Sequence, residues 1–307
     1  MAEVKKYDVV IIGGGPAGLS AAVYAGRAMA KTLIIEGEAT GGQIIKTAEI
    51  ENYPGQLESE SGYSLCERML AQAQHFGAEL VYDNVVSVEL EASPKRIVCS
   101  GAEYEADKVI IATGASPAKI GCPGEAEFTG MGVSYCATCD GAFFRNLPIY
   151  VVGGGDSAVE EAMFLTRFSK NVTVIHRRDE LRAAKSIQEK AFATDGLSFM
   201  WNTKVAEIGG KGALTSIIVE DTKTGERREL TPGDARSMGV FVFIGLVPNS
   251  ALFPASIKDE RGYIKTNEEM ETSIPGVYAV GDIRVKSLRQ VVTAAADGAI
   301  AAFNATK

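Results

Sequence analysis

The chain has 307 residues, 46% hydrophobic and 23% charged, with a formal net charge of −8. That length exceeds one ordinary hydrophobic core and favours two domains, and the composition is globular rather than disordered or fibrous. The acidic balance argues against broad attraction to nucleic acid or anionic lipid, so neither partner is expected, while a local basic site stays open.

In chain order, Asp8–Ile12 reads as a buried parallel strand, Leu19, Ala22, Val23 and Gly26 recur at helical spacing, and Thr32–Ile35 is the next strand. The apolar run from Val9 to Gly26 can pass for a signal peptide or membrane span. Gly13, Gly14, Gly15 and Pro16 interrupt it and no long basic region precedes it, so strand, glycine turn and helix explain it better, and a cytoplasmic protein is expected. Asp107–Gly114 is another apolar strand ending in glycine. The first design then recurs, with a strand at Ile149–Val152, a helix face at Val159, Ala162 and Met163, and a strand at Val172–Ile175. GGGPAGLSAA (13–22) aligns with GGGDSAVEEA (153–162) at an offset of 140 residues. Gly239–Gly245 closes this second unit. Alternating strands and helices imply an α/β protein with two Rossmann-like, three-layer dinucleotide-binding domains. The second, 117–246, is expected as an insertion in the first, 1–116 plus 247–307.

Gly13, Gly15 and Gly18 form GxGxxG between a strand and a helix. That spacing gives a tight turn, close approach to a pyrophosphate and close helix–strand packing, with the helix N-terminus facing the phosphates. Glu36 ends the second strand, where a carboxylate can accept both ribose hydroxyls, so the first site reads as one for FAD or NAD. Gly153, Gly155 and Ala158 repeat the turn as GxGxxA. Here the position matching Glu36 is His176, followed by Arg177 and Arg178, with Arg182 one turn further if a helix starts there. Guanidinium groups bind a 2′-phosphate that a carboxylate would repel, so the second site reads as one for NADP.

The five cysteines, at 66, 99, 122, 136 and 139, do not make a secreted disulfide framework. Only Cys136 and Cys139 form a close pair, as CATCD. Half a zinc site is one reading, but no second CxxC exists and His75 and His176 are remote in sequence; no metal is expected. An inert buried pair is another. The third is a small-ring disulfide that opens and closes with little rearrangement, one thiolate attacking a partner disulfide and the second cysteine resolving the mixed disulfide. Asp140 can serve as acid or base to the departing thiol, or cap a helix start.

VIIGGGPAGLSAA (10–22), GGQ (41–43), ENYPG (51–55), ATG (112–114), CATCDGAFF (136–144), GGGDSAVEEA (153–162), HRRDELRA (176–183), VYAVGD (277–282) and RQVVTAA (289–295) occur together and in order. In this the whole chain resembles the low-molecular-weight thioredoxin reductases of bacteria and plants. The resemblance implies that Gly13, Gly15, Gly18, Glu36, Gln43, Asn52, Asp282, Arg289 and Gln290 hold FAD. It implies that Gly153, Gly155, Ser157, Ala158, His176, Arg177, Arg178 and Arg182 hold NADPH. Cys139 would face the flavin as the thiolate, Cys136 would attack thioredoxin, and Asp140 would be the acid/base group. Hydride would pass from NADPH to FAD and electrons on to the cysteine pair and thioredoxin, in a homodimer. Because the cysteines and the NADPH site share one domain and the flavin the other, a domain rotation is implied, with hinges near 114–118 and 244–248.

The departures from the family pattern are small. Leu181 stands where an aromatic residue is frequent, and Ala296 and Asp297 fall in a variable helix; neither is expected to touch the chemistry. Ferredoxin-linked relatives lack GxGxxA and HRRxxxR, which this chain keeps. A reductase serving a peroxidase is a second reading, but such relatives usually carry an extra N-terminal thioredoxin-fold module, and here the first strand is reached by residue 8. A nucleotide-sensing binding protein is a third, and the intact CATCD counts against it.

Overall fold

The strand Lys5–Ile12 shows why the chain folds around parallel sheets. Side chains alternate faces along a strand, and Val9 and Ile11 enter one buried cluster while Val10 and Ile12 enter another. A strand buried on both sides needs cover on both faces. A computed structural model of the chain describes residues 4–46, 50, 53–55 and 60–307, apart from the side chains of Lys46 and Cys139. It divides into two units, 1–116 with 247–307, and 117–246.

In the first unit the strands lie in the order Glu79–Tyr82, Thr32–Glu36, Lys5–Ile12, Glu103–Ile111, Lys95–Cys99 and Val85–Glu89. The first four are mutually parallel, and the last two form an antiparallel extension. Val277–Ala279 pairs in parallel with the end of Glu103–Ile111. One face packs on the helices Pro16–Arg27 and Val291–Ala305 through Leu19, Ala22, Ala301 and Ala302. The other is closed by Ile97, Phe253, Ile257, Ile264 and Ile274, which belong to the antiparallel extension and the segment beyond residue 250.

The second unit repeats the plan. Its sheet runs Leu197–Met200, Val172–Ile175, Ile149–Gly153, Gly239–Phe243 and Val133–Ser134, every neighbouring pair parallel. Ala158, Ala162 and Leu165 of the helix Asp156–Leu165 pack on Val151, Val174 and Phe241. The opposite face carries an antiparallel sheet of Thr203–Gly210, Leu214–Asp221 and Arg227–Leu230, whose Val205, Ile208, Ile217 and Val219 meet Ile175, Val240 and Val242. The fold is thus α/β with two dinucleotide-binding units, as expected, and a β layer takes the outer face of the second.

Among the described residues no helix is long and apolar enough to cross a membrane. In the first unit the two helices approach so closely that a Cβ on Gly298 would lie 2.1 Å from the Ala17 carbonyl oxygen. Backbone cannot yield there as a flexible side chain can. Gly298→Ala is therefore expected to lower the unfolding free energy by about 1–3 kcal/mol. Denaturant unfolding checks this, and an unchanged midpoint would contradict the packing described.

Candidate functional site

A cleft of about 640 Å³ opens in the first unit around the turn that follows Ile12. Open α/β sheets bind ligands beyond the carboxyl ends of their strands, and this cleft lies there. Gly13, with φ of +111°, presses against the next strand: a Cβ would stand 2.4 Å from the Ala112 carbonyl oxygen. Gly18 sits behind it, where a Cβ would stand 2.0 Å from the Gly13 carbonyl oxygen. Gly15, by contrast, faces open space, with only the Gly41 carbonyl oxygen near, at 3.9 Å. The helix that begins at Pro16 has Gly15 as its N-cap, without a side-chain cap. Free N–H groups and the positive end of the helix dipole therefore face the open side.

Glu36 closes its strand beside this turn. Its Oε2 accepts the Gly14 N–H at 2.7 Å and its Oε1 the Glu38 N–H at 3.2 Å, so the carboxylate is oriented before any ligand arrives. Gln43, Asp282, Arg289 and Gln290 also line the cleft. Gln290 starts the C-terminal helix through a capping box with Thr293. Arg289 lies over the Tyr263 ring, 4.3 Å from its centre. Asp282 stands out: its Oδ1 is buried without a hydrogen-bond partner. Burial pushes its carboxyl above the usual range, Lys286 and Arg289 pull it down, and Asp297 adds to the rise. Asn52 lies outside the described residues.

Two further lining residues, not assigned to a site from the sequence, bond each other. Thr113 Oγ1 donates to the Asn249 carbonyl at 2.9 Å, and Asn249 Nδ2 donates back to the Thr113 carbonyl at 2.8 Å. ATG marked the first, and nothing in the sequence marks the second.

The second unit builds the matching turn from smaller pieces. A Cβ on Gly153 would stand 2.4 Å from the Phe243 carbonyl oxygen and 2.5 Å from the Ala158 Cβ, so the first and third positions must stay small. Gly155 likewise faces open space, with nothing among the described residues within 4 Å, and opens the helix without a side-chain cap. Ser157 follows in the first turn of that helix, exposed. His176 takes the place against Gly154 that Glu36 takes against Gly14: a Cβ there would stand 2.3 Å from the imidazole. The ring is buried, its Nε2 has no partner, and burial with the charges of Arg182 and Arg178 pushes it below the usual imidazole range. It therefore reads as a neutral ring.

Arg177, Arg178 and Arg182 are exposed, and among the described residues none is paired with a carboxylate; Asp179 between them is taken by Lys223 at 3.1 Å. The helical turn considered for Arg182 does not form. Residues 177–184 instead fold back on the glycine turn, with the N–H groups of Arg182 and Ala183 both donating to the Gly154 carbonyl, at 2.7 and 3.1 Å. The next helix begins only at Lys185.

Cys136 precedes the short helix Ala137–Asp140 in this same unit and is disulfide-bonded, whereas Cys66, Cys99 and Cys122 are free. The Cys139 side chain lies outside the described residues. Fully buried Ala137 anchors the motif in the core beside Phe241. The Ser134 hydroxyl accepts the Cys136 N–H at 3.0 Å and donates to its carbonyl at 3.1 Å, while the Thr138 hydroxyl lies 3.4 Å from the Cys136 Sγ. Asp140 makes no side-chain cap to the 3-10 turn Gly141–Phe144 that follows. Among the described residues no three His, Cys, Asp or Glu side chains are grouped to hold a metal.

Two glycine-turn units with a disulfide-bonded cysteine in the second define a class of flavin- and nicotinamide-linked disulfide oxidoreductases. The model of the pyridine nucleotide-disulphide oxidoreductase family matches residues 7–298, and the chain belongs to that family. It is 56% identical over 303 residues to the thioredoxin reductase of Peptoclostridium litorale, covering 98% of this chain and 96% of that protein. It is 50% identical over 305 residues to the thioredoxin reductase of Bacillus subtilis (strain 168), covering 98% and 94%. The crystal structure of Lactococcus lactis thioredoxin reductase in its FR conformation superposes with a TM-score of 0.87 at 46% identity, covering 97% of both chains.

A carboxyl raised by folding stabilises the folded state below the ordinary carboxylate range and loses that contribution as pH rises through its folded value. Ionised Asp282 therefore costs the ligand-free protein stability at neutral pH. Asp282→Asn should raise the melting temperature of ligand-free protein at neutral pH, and the gain should fade on acidification. A lower melting temperature at neutral pH would contradict this.

Proposed function

We propose that the chain is an NADPH-dependent flavoprotein that reduces the disulfide of thioredoxin, working as a cytoplasmic homodimer. The observation that carries this reading is the disulfide-bonded Cys136 in the same unit as a dinucleotide turn flanked by three exposed arginines that, among the described residues, pair with no carboxylate. The residues present fit the two cofactors. In the first unit the open face of Gly15, the oriented Glu36 and the orphaned Asp282 Oδ1 suit FAD, with Gln43, Arg289 and Gln290 around them. In the second, Gly155 with Ser157, the orphaned His176 Nε2 and the three guanidinium groups suit a nicotinamide dinucleotide bearing a 2′-phosphate. When bound, the pair supplies hydride acceptance and delivery of two electrons to a disulfide.

The protein's own part is thiol chemistry. Reduction of the centre, read as Cys136 with Cys139, leaves two thiols. The Cys136 thiolate attacks one sulfur of thioredoxin's disulfide; that S–S bond breaks as the mixed disulfide forms. Cys139 then attacks Cys136, restoring the centre and releasing thioredoxin as a dithiol. Asp140, which makes no side-chain cap to the turn that follows it, would hand the proton to the departing thiolate. Phe143, 74% exposed a few residues on, offers a protein partner apolar surface beside the cysteines. The free Cys66, Cys99 and Cys122 suit a reducing compartment.

Purified protein with FAD should reduce thioredoxin with NADPH and only poorly with NADH, and Cys136→Ser or Cys139→Ser should abolish turnover. Flavin bleaching without thioredoxin reduction would reject the partner, and no bleaching by NADPH would reject the donor. Loss of a charge-assisted phosphate contact amounts to about 1.5–3 kcal/mol, so Arg177→Ala and Arg178→Ala should each raise the KM for NADPH about 10- to 100-fold. The KM for NADH, which lacks that phosphate, should stay unchanged; an equal rise would mean that the arginines do not read it.

A further inference from the structure

The turn that carries Asp282 into the first-unit cleft is held from behind by a side chain far along the chain. Asp297 sits within the C-terminal helix with its side chain only 8% exposed. Its Oδ2 accepts the Gly281 N–H at 3.0 Å and the Lys286 ammonium at 2.7 Å, and its Oδ1 accepts Arg284 Nη1 at 3.0 Å. Lys286 is equally enclosed, at 9% exposed, and Arg284 little less so, at 15%. Arg284 is further fixed by donating from Nε to Thr266 at 3.0 Å. Gly281 itself has φ of +73° and packs so tightly that a Cβ would stand 2.9 Å from that of Ala17. The turn thus has one seat, and the Asp297 carboxylate is the anchor that bonds its N–H.

The charges make the arrangement one-sided. Arg284, Lys286 and Arg289 are the cations around this turn, and Asp282 and Asp297 the acids. A buried cation stripped of its partner seeks another at once, because an unpaired buried charge is costly. Lys286 already acts electrostatically on Asp282. With Asp297 holding Lys286, the Asp282 Oδ1 remains without a partner of its own. An acceptor left open in this way is what a hydroxyl-bearing ligand in the cleft needs.

We propose that Asp297 is a positioning residue for the flavin: by bonding Gly281 and detaining Lys286 it keeps the Asp282 carboxyl open to the cofactor's hydroxyl groups. This rests on reading the first-unit cleft as the FAD site. Asp297→Asn keeps the shape and an acceptor for Gly281 but removes the charge that holds Lys286. The ammonium then turns to Asp282 and competes with the cofactor.

The test is titration of flavin-free protein with FAD, followed by flavin fluorescence. Asp297→Asn should raise the Kd about tenfold or more, equivalent to about 1.4 kcal/mol. Lys286→Met combined with Asp297→Asn should recover most of that loss, because the cation that acts on Asp282 is gone while Arg284 keeps its bond to Thr266. A merely structural role predicts the reverse, since deleting a second buried partner would weaken binding further. Should Asp297→Asn not fold alone, the doubly substituted protein still decides: near-native FAD affinity supports the proposal, and weak affinity overturns it. Unchanged affinity in Asp297→Asn overturns it as well. Failure of the wild-type protein to take up FAD would instead reject the reading of the cleft.

Discussion

Both halves of the molecule depend on one steric constraint, the close passage of a glycine turn over the neighbouring strand. Gly13 lies against the Ala112 carbonyl and Gly153 against the Phe243 carbonyl, each at a distance that admits no side chain. In each unit the third small residue, Gly18 or Ala158, sits directly behind the first. That packing draws the helix onto the sheet and leaves its uncapped N-terminus facing outward over an open second glycine. The first and third small residues let the layers close, and the second leaves the N–H groups of the helix start exposed, the arrangement that suits a diphosphate.

Once that frame is repeated, the two copies diverge at the rim, first at the residue packed against the middle glycine. Glu36 spends one carboxylate oxygen on each of two main-chain N–H groups, which fixes a negative charge at the rim. Its counterpart His176 is pressed under Gly154, buried and held toward the neutral form. A neutral ring there leaves the sign of the rim to Arg177, Arg178 and Arg182. Asp179 does not cancel them, because Lys223 from a hairpin of the antiparallel layer engages it. That layer also ties down the loop itself, Thr222 Oγ1 donating to the Arg177 carbonyl at 3.1 Å and the Asn202 N–H to that of Arg178 at 3.0 Å. The outer sheet therefore supports the basic loop as well as covering the core.

What could be read from the sequence follows the range of the interactions. The strand–turn–helix units were legible because apolar period and glycine spacing are local, and so was the α/β class. Arg182 was not, because its position is set by hydrogen bonds to a carbonyl 28 residues earlier rather than by a helical turn, and 28 residues is also the separation of the Ala184 N–H and its acceptor Asp156. The three strands between 203 and 230 carried no motif and emerged only as cover for Val240 and Val242. Asp297 is the sharpest case. In a variable helix it read as irrelevant to the chemistry, yet it bonds the turn that carries Asp282, 16 residues from Gly281. A lone acid on a helix gives no sign of the two cations that will surround it.

The cysteine motif shows the same division between what packs and what reacts. Ala137 is fully buried against the sheet that bears the second glycine turn, while Thr138 and Asp140 keep partial access to solvent. One apolar residue inside CATCD thus fastens the cysteine turn to the sheet of its unit, and Thr138 and Asp140 beside it keep part of their surface in solvent. Ser134 adds a second restraint by bridging the N–H and carbonyl of Cys136. Neither contact involves sulfur, so a change of redox state need not release the turn. A centre held by its backbone can exchange disulfides while the surface it presents to a partner protein stays in place.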